Sequence, residues 1–184
     1  MKQLDEIYRK KRWVVARSSN LPSTVQPLYG EITREGVDSV IQNFKEFQDP
    51  DTVFYDIGSG YGKMVLHVAV SCPIKKAVGV EYVSERCGYA KSSASKFQYK
   101  SEEEPEFIEA DAFNLDYSDA TVVYIDNTSV SWATLVNEIL IPKLPKGCLL
   151  LMRNFRRTSG VMRGSIKAST TYVKDMKLHW GYIK

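Results

Sequence analysis

The chain has 184 residues, 43% of them hydrophobic, and a formal net charge of +3. That length suits one domain with one substantial core, and the mild charge does not by itself call for a nucleic acid or another acidic partner. No segment approaches the roughly 20 apolar residues of a membrane span, and the N-terminal MKQLDEIYRKKRW lacks a signal-peptide run, so a soluble, intracellular protein is expected.

Residues 1 to 33 read as an N-terminal arm, loose and Pro-containing from Ser18 to Leu28, ahead of a domain over residues 34 to 184. Val37, Val40, Ile41, Phe44 and Phe47 recur at helical steps, and Thr33 can cap that helix. Strands are predicted over Thr52–Asp56, Lys76–Glu81, Glu106–Ala110, Thr121–Ile125 and Cys148–Arg153. Between them, Cys87, Ala90, Ala94 and Phe97 draw one apolar stripe behind Ser84. Trp132, Leu135, Val136, Ile139 and Leu140 draw another that stops at Pro142. This alternation predicts an α/β domain with a parallel sheet covered on both faces. At the end, Ser165–Val173 and Lys177–Tyr182 read as a hairpin closing one sheet edge. Cys72, Cys87 and Cys148 share no metal-ligand or disulfide spacing; they are expected to be reduced and packed inside, with no metal site.

The first strand ends in Asp56 and runs into Gly58, Ser59, Gly60 and Gly62 before the next helix. Such a loop lets backbone approach a small ligand without a Cβ in the way. Its GxGxG spacing differs from the GxGxxG of dinucleotide sites, which disfavours a nicotinamide oxidoreductase. Glu81 ends the second strand, where a carboxylate can take both hydroxyls of a ribose; Tyr82 follows it. Asp111 follows the third strand and can accept from an adenine amino group, while Ala112 or Phe113 offers a backbone N–H to the ring. Three acids at the carboxyl ends of successive strands suit S-adenosylmethionine (SAM), whose sulfonium and ammonium are both cationic. Asp56 would organise the loop and the amino-acid end.

The run Asp56-Ile-Gly-Ser-Gly-Tyr-Gly-Lys-Met-Val-Leu-His-Val-Ala69, then Gly79-Val-Glu81, resembles the cofactor motifs of class I SAM-dependent methyltransferases, most closely those of Dot1-type lysine methyltransferases. Tyr29-Gly30-Glu31 resembles a Tyr-Gly-Glu turn that closes over SAM in that family. The resemblance implies a Rossmann-like seven-stranded sheet of order 3-2-1-4-5-7-6 with strand 7 antiparallel. It also implies that the end of strand 4 faces the transferred methyl, with Asp126 and Asn127 standing where the Dot1-type pattern has two asparagines. Together with Tyr29 these are the candidate catalytic residues; Tyr124, Tyr172 and Trp180 are candidates for an aromatic substrate channel, or else pack as core. A protein lysine is the acceptor implied, without histone specificity. A nucleic-acid or small-molecule acceptor and a non-catalytic SAM-binding module are the competing readings. From Arg153 to Lys184 there are eight Lys or Arg and one acid, a solvated surface or a hold on nucleic acid or nucleoprotein.

Overall fold

In the computed structural model, residues 2–9, 30–126, 130–154, 162–171 and 173–184 are described. The seven strands are β1 (Val53–Ile57), β2 (Lys76–Glu81), β3 (Glu106–Glu109), β4 (Val122–Ile125), β5 (Leu149–Met152), β6 (Met162–Ala168) and β7 (Met176–Tyr182). They form one sheet of order β3-β2-β1-β4-β5-β7-β6, the order expected. β1 to β5 pair in parallel, and β7 runs antiparallel to both β5 and β6.

All five side chains of β1 are buried, because helices cover both faces of the central strands. Phe54 points into one core with Val122, Tyr124, Leu149 and Leu151, under α1 (Lys2–Arg9), α2 (Arg34–Asn43), α3 (Lys63–Ser71) and α4 (Ser84–Ala94). Val53, Tyr55 and Ile57 point into the other, with Val123, Ile125, Leu150 and Met152, under α5 (Val130–Leu135) and its continuation. Thr33 caps α2, its hydroxyl accepting the Gly36 N–H at 3.2 Å. All three cysteines are buried free thiols, and burial pushes Cys72 and Cys148 up to about 12.

The end of the predicted arm belongs to the folded domain. Ile32 is buried and bridges Thr170, while Thr33 N–H donates to Ser169 O and Thr171 N–H to Glu31 O, each at 2.8 Å. At the other end of the arm, α1 lies on α3, with Ile7 buried and the Tyr8 hydroxyl 3.0 Å from His67 Nδ1.

Two predicted elements are corrected. β6 ends at Ala168 instead of continuing to Val173, because Ser169 to Thr171 pair with residues 31–33; Met176 begins β7 instead of sitting in the turn. After α5 the chain widens into a π-helical turn, Val136–Leu140, before a 3₁₀ turn at Ile141–Lys143. The wider turn rotates Ile139 out of the predicted apolar stripe, leaving it 38% exposed while Val136 and Leu140 stay buried. No helix among the described residues is long and apolar enough to cross a membrane.

Candidate active site

β1 and β2 end side by side, so the loop after Ile57 meets the carboxylate that ends β2. Gly58, Gly60 and Gly62 all have positive φ, and the N–H groups of Gly58 and Ser59 both donate to Val80 O, at 2.8 and 3.0 Å. Glu81, 5% exposed, accepts the Gly60 N–H on Oε2 at 2.8 Å and the Val83 N–H on Oε1 at 2.9 Å, with Arg86 at 3.7 Å. A carboxylate has about four lone-pair positions, so it can brace the loop and still accept from a ribose diol. Tyr82, next to it, is 40% exposed at the rim.

Asp111 accepts the Phe113 N–H at 3.0 Å, capping the 3₁₀ turn Ala112–Asn114. Of the two N–H groups considered for an adenine ring, that of Phe113 is already in use, which leaves Ala112 as the candidate donor; the Phe113 ring packs against Trp132 at 5.5 Å. The carbonyls of this turn are held from outside. The Tyr117 hydroxyl donates to Ala112 O at 2.7 Å, and Lys143 Nζ donates to Phe113 O at 2.6 Å and Leu115 O at 3.3 Å. Lys143→Met should therefore weaken SAM and adenosine binding alike, by about three- to tenfold, with Lys143→Arg close to the parent; calorimetry with both ligands checks this.

A recess beyond the glycine loop is lined by Gly30, Glu31, Asp56, Ser59, Lys63, Tyr124 and Asp126, among others. Asp56 and Tyr124 are register partners on β1 and β4, so their side chains share a face. The Tyr124 hydroxyl and Ser59 Oγ are buried without a hydrogen-bond partner among the described residues, a state that costs about 1–3 kcal/mol each and that a polar ligand would relieve. Lys63 begins α3 and pairs with Glu31 at 2.5 Å. A cation at a helix N-terminus opposes the helix dipole, so its place there is explained by the partner and by the recess it lines. Asp126 pairs with Arg153 Nη1 at 3.3 Å.

These groups could hold SAM, with Asp111 and Ala112 available to adenine, Glu81 to ribose, Lys63 to a carboxylate, and Asp56 and the two hydroxyls to an ammonium. Burial, then the nearby Asp126 and Glu81 charges, push Asp56 well above the usual carboxylate range. The raised carboxyl contributes stability to the ligand-free protein below the ordinary aspartate range and loses it as pH rises through its own titration. Pairing with an ammonium selects the ionised form, so SAM affinity should rise as pH climbs from the ordinary aspartate range through the raised titration of Asp56, with proton release. Calorimetry in buffers of different ionisation enthalpy would detect that release, and Asp56→Asn should flatten the pH dependence.

Of the two readings open for Trp180, channel wall or core, its surroundings are those of the core. It packs edge-on against Phe44 at 5.7 Å and Tyr182 at 6.3 Å and pairs across β7 with Leu151 and Gly164, within the core under α2. Tyr29, Asn127 and Tyr172 lie outside the described residues. Lys63, Lys143 and Arg153 were missed, because a lone basic residue at a helix or strand end reads as solvated surface.

The model of the family described as histone methylation protein DOT1 matches residues 14–157. A protein-lysine N-methyltransferase of Saccharolobus islandicus is 35% identical over 96 residues, 52% of this chain and 55% of that protein. A histone-lysine N-methyltransferase, H3 lysine-79 specific, of Caenorhabditis elegans is 31% identical over 133 residues, 65% of this chain and 14% of that protein. The chain thus spans about half the length of the first relative and a small part of the second. Among solved structures, an RNA methyltransferase from Salinibacter ruber in complex with S-adenosyl-L-homocysteine shares the fold at TM-score 0.67 and 22% identity, over 82% of this chain and 92% of that one. Magnesium protoporphyrin IX methyltransferase from Synechocystis with bound SAM does so at 0.60 and 14%, over 82% and 79%. Matched by the family model over most of its length and built on the class I sheet, the chain belongs to the DOT1 family of SAM-dependent methyltransferases.

Proposed function

We propose that the protein is a SAM-dependent protein-lysine N-methyltransferase. The observation that carries this reading is the composition of the recess at the ends of β1 and β4, where three carboxyl groups, Asp56, Glu31 and Asp126, with the Tyr124 hydroxyl, outnumber one cation, Lys63. Such a wall suits cationic groups, and a lysine side chain presents one. The names of both curated relatives, a protein-lysine and a histone-lysine N-methyltransferase, point the same way.

SAM supplies an activated methyl on a sulfonium, and the chain's own residues have two tasks. Glu81, Asp111 and the glycine loop fix the cofactor, which turns a bimolecular displacement into an oriented one. Asp126, with Asn127 and Tyr29 as further candidates, orients the incoming amine beside Tyr124. The exposed basic side chains Arg163, Lys167 and Lys177 on the outer strands are suited to hold an acidic protein or nucleoprotein.

The test is mass spectrometry of proteins, nucleosomes and RNA incubated with the protein and labelled SAM. Methyl groups are expected on lysine, and Asp126→Ala is expected to lower that transfer by about tenfold or more while SAM affinity changes by less than about threefold. Label confined to RNA or small molecules would replace the lysine acceptor and leave the methyltransferase fold and cofactor site as they are.

A further inference from the structure

We propose that Arg153 controls the protonation of the acceptor amine: by pairing with Asp126 at the methyl-transfer site, it denies that carboxylate to a lysine ammonium and favours the neutral, nucleophilic amine. The inference rests on the lysine reading above.

β4 and β5 are parallel neighbours registered through Ile125 and Met152, and the Arg153 N–H donates to Ile125 O at 3.2 Å. The residues that follow each strand, Asp126 and Arg153, therefore leave the sheet side by side. Their side chains are 16% and 19% exposed at an N–O distance of 3.3 Å. A pair so far out of water couples more strongly than a surface pair. The charged and titratable groups facing it are Asp56 from β1, Tyr124 from β4, Lys63 from α3 and Glu31 from the segment before α2. Lys63 pairs with Glu31, and among the described residues Arg153 is the cation in contact with Asp126. Burial raises the Asp126 carboxyl and Arg153 draws it back down.

A lysine amine titrates ordinarily near 10.4, and each pH unit of change alters its neutral fraction tenfold. In the transfer the nitrogen lone pair forms the new N–C bond while the C–S bond breaks with its electron pair left on sulfur. The amine must first have released its ammonium proton to solvent. An unpaired Asp126 beside Asp56 would bind the ammonium well and hold that proton, which tightens substrate binding and slows transfer. If Arg153 only covered the rim, its loss would weaken binding or stability and leave the pH profile in place.

The experiment compares kcat and KM of the full chain and Arg153→Met across about pH 6 to 10 on one lysine-containing protein substrate. The ascending limb of kcat should move up by about one pH unit, lowering kcat near neutrality about tenfold while KM falls. Asp126→Asn should move the limb down and raise KM, and Arg153→Lys, which keeps a cation at a single-contact site, should stay near the parent. A limb that Arg153→Met leaves in place, or that both variants move the same way, overturns the assignment. Should Arg153→Met fail to fold, an Asp126→Asn limb that does not move down overturns it equally. Lysine transfer with an immobile limb defeats Arg153 alone; absence of methyl-lysine defeats the lysine reading beneath it.

Discussion

Glu81→Ala should weaken SAM binding by about 3 to 5 kcal/mol, the largest loss expected from one substitution in the cofactor site. A ribose contact alone would give about 1.5 to 3 kcal/mol, the range for hydrogen bonds to a charged group. The excess arises because Glu81 also holds the glycine loop: its two oxygens accept the N–H groups of Gly60 and Val83, and Arg86 stands 3.7 Å away. With Glu81 5% and Arg86 4% exposed, truncation strips a buried guanidinium of a carboxylate and two backbone donors of their acceptor. The loop would then be ordered at the expense of ligand binding. Glu81→Gln separates the contributions: it keeps the shape, but its amide nitrogen cannot accept from Gly60 or Val83, so it should fall between the parent and Glu81→Ala. Calorimetry with SAM checks the ranking, and thermal unfolding checks that the ligand-free variants remain folded. Alanine binding within about threefold of the parent would remove Glu81 from both roles.

The strands were legible because each parallel strand is a short apolar run ended by an acid or a turn, and Glu81 and Asp111 stand where those runs stop; their order came only with the resemblance to class I methyltransferases. What escaped notice depends on neighbours distant in sequence. Nothing local marks Arg153 as a partner of Asp126, since the contact exists only once β4 and β5 lie in register. Lys63 likewise acquires a role only when the segment before α2 brings Glu31 to the start of α3. Trp180 is a different case. Leu178, Trp180 and Tyr182 alternate along β7, and Leu178 is fully buried, so period-two spacing already assigned the indole to the core face. Aromatic character alone left the channel and core readings both open; the period decides for the core. Ile139 failed for the opposite reason, because a stripe drawn at 3.6 residues per turn cannot anticipate a π-helical turn.

Gly62→Ala is expected to destabilise the fold by about 2 to 5 kcal/mol, whereas Gly58→Ala in the same loop should cost about 1 kcal/mol. Both positions have positive φ, +76° and +80°, so both substitutions meet the strain that an L side chain feels there. They differ in what a new Cβ would meet. At Gly62 it would lie 2.6 Å from Phe107 Cζ and 3.0 Å from Ala90 Cβ, with Phe107 Cε1 nearer still; at Gly58 nothing stands within 4 Å. Phe107 is anchored on β3 and Ala90 on α4, both in the buried core, so neither yields without moving an element. Gly62→Ala should therefore show its effect in denaturant unfolding, and Phe107→Leu should recover part of it by removing the ring edge. Gly58→Ala should unfold nearly as the parent does, its larger effect falling on SAM affinity because Gly58 lines the recess. Equal destabilisation by the two alanines would mean that backbone conformation alone demands glycine here, and that the close approach of Phe107 imposes no further requirement at position 62.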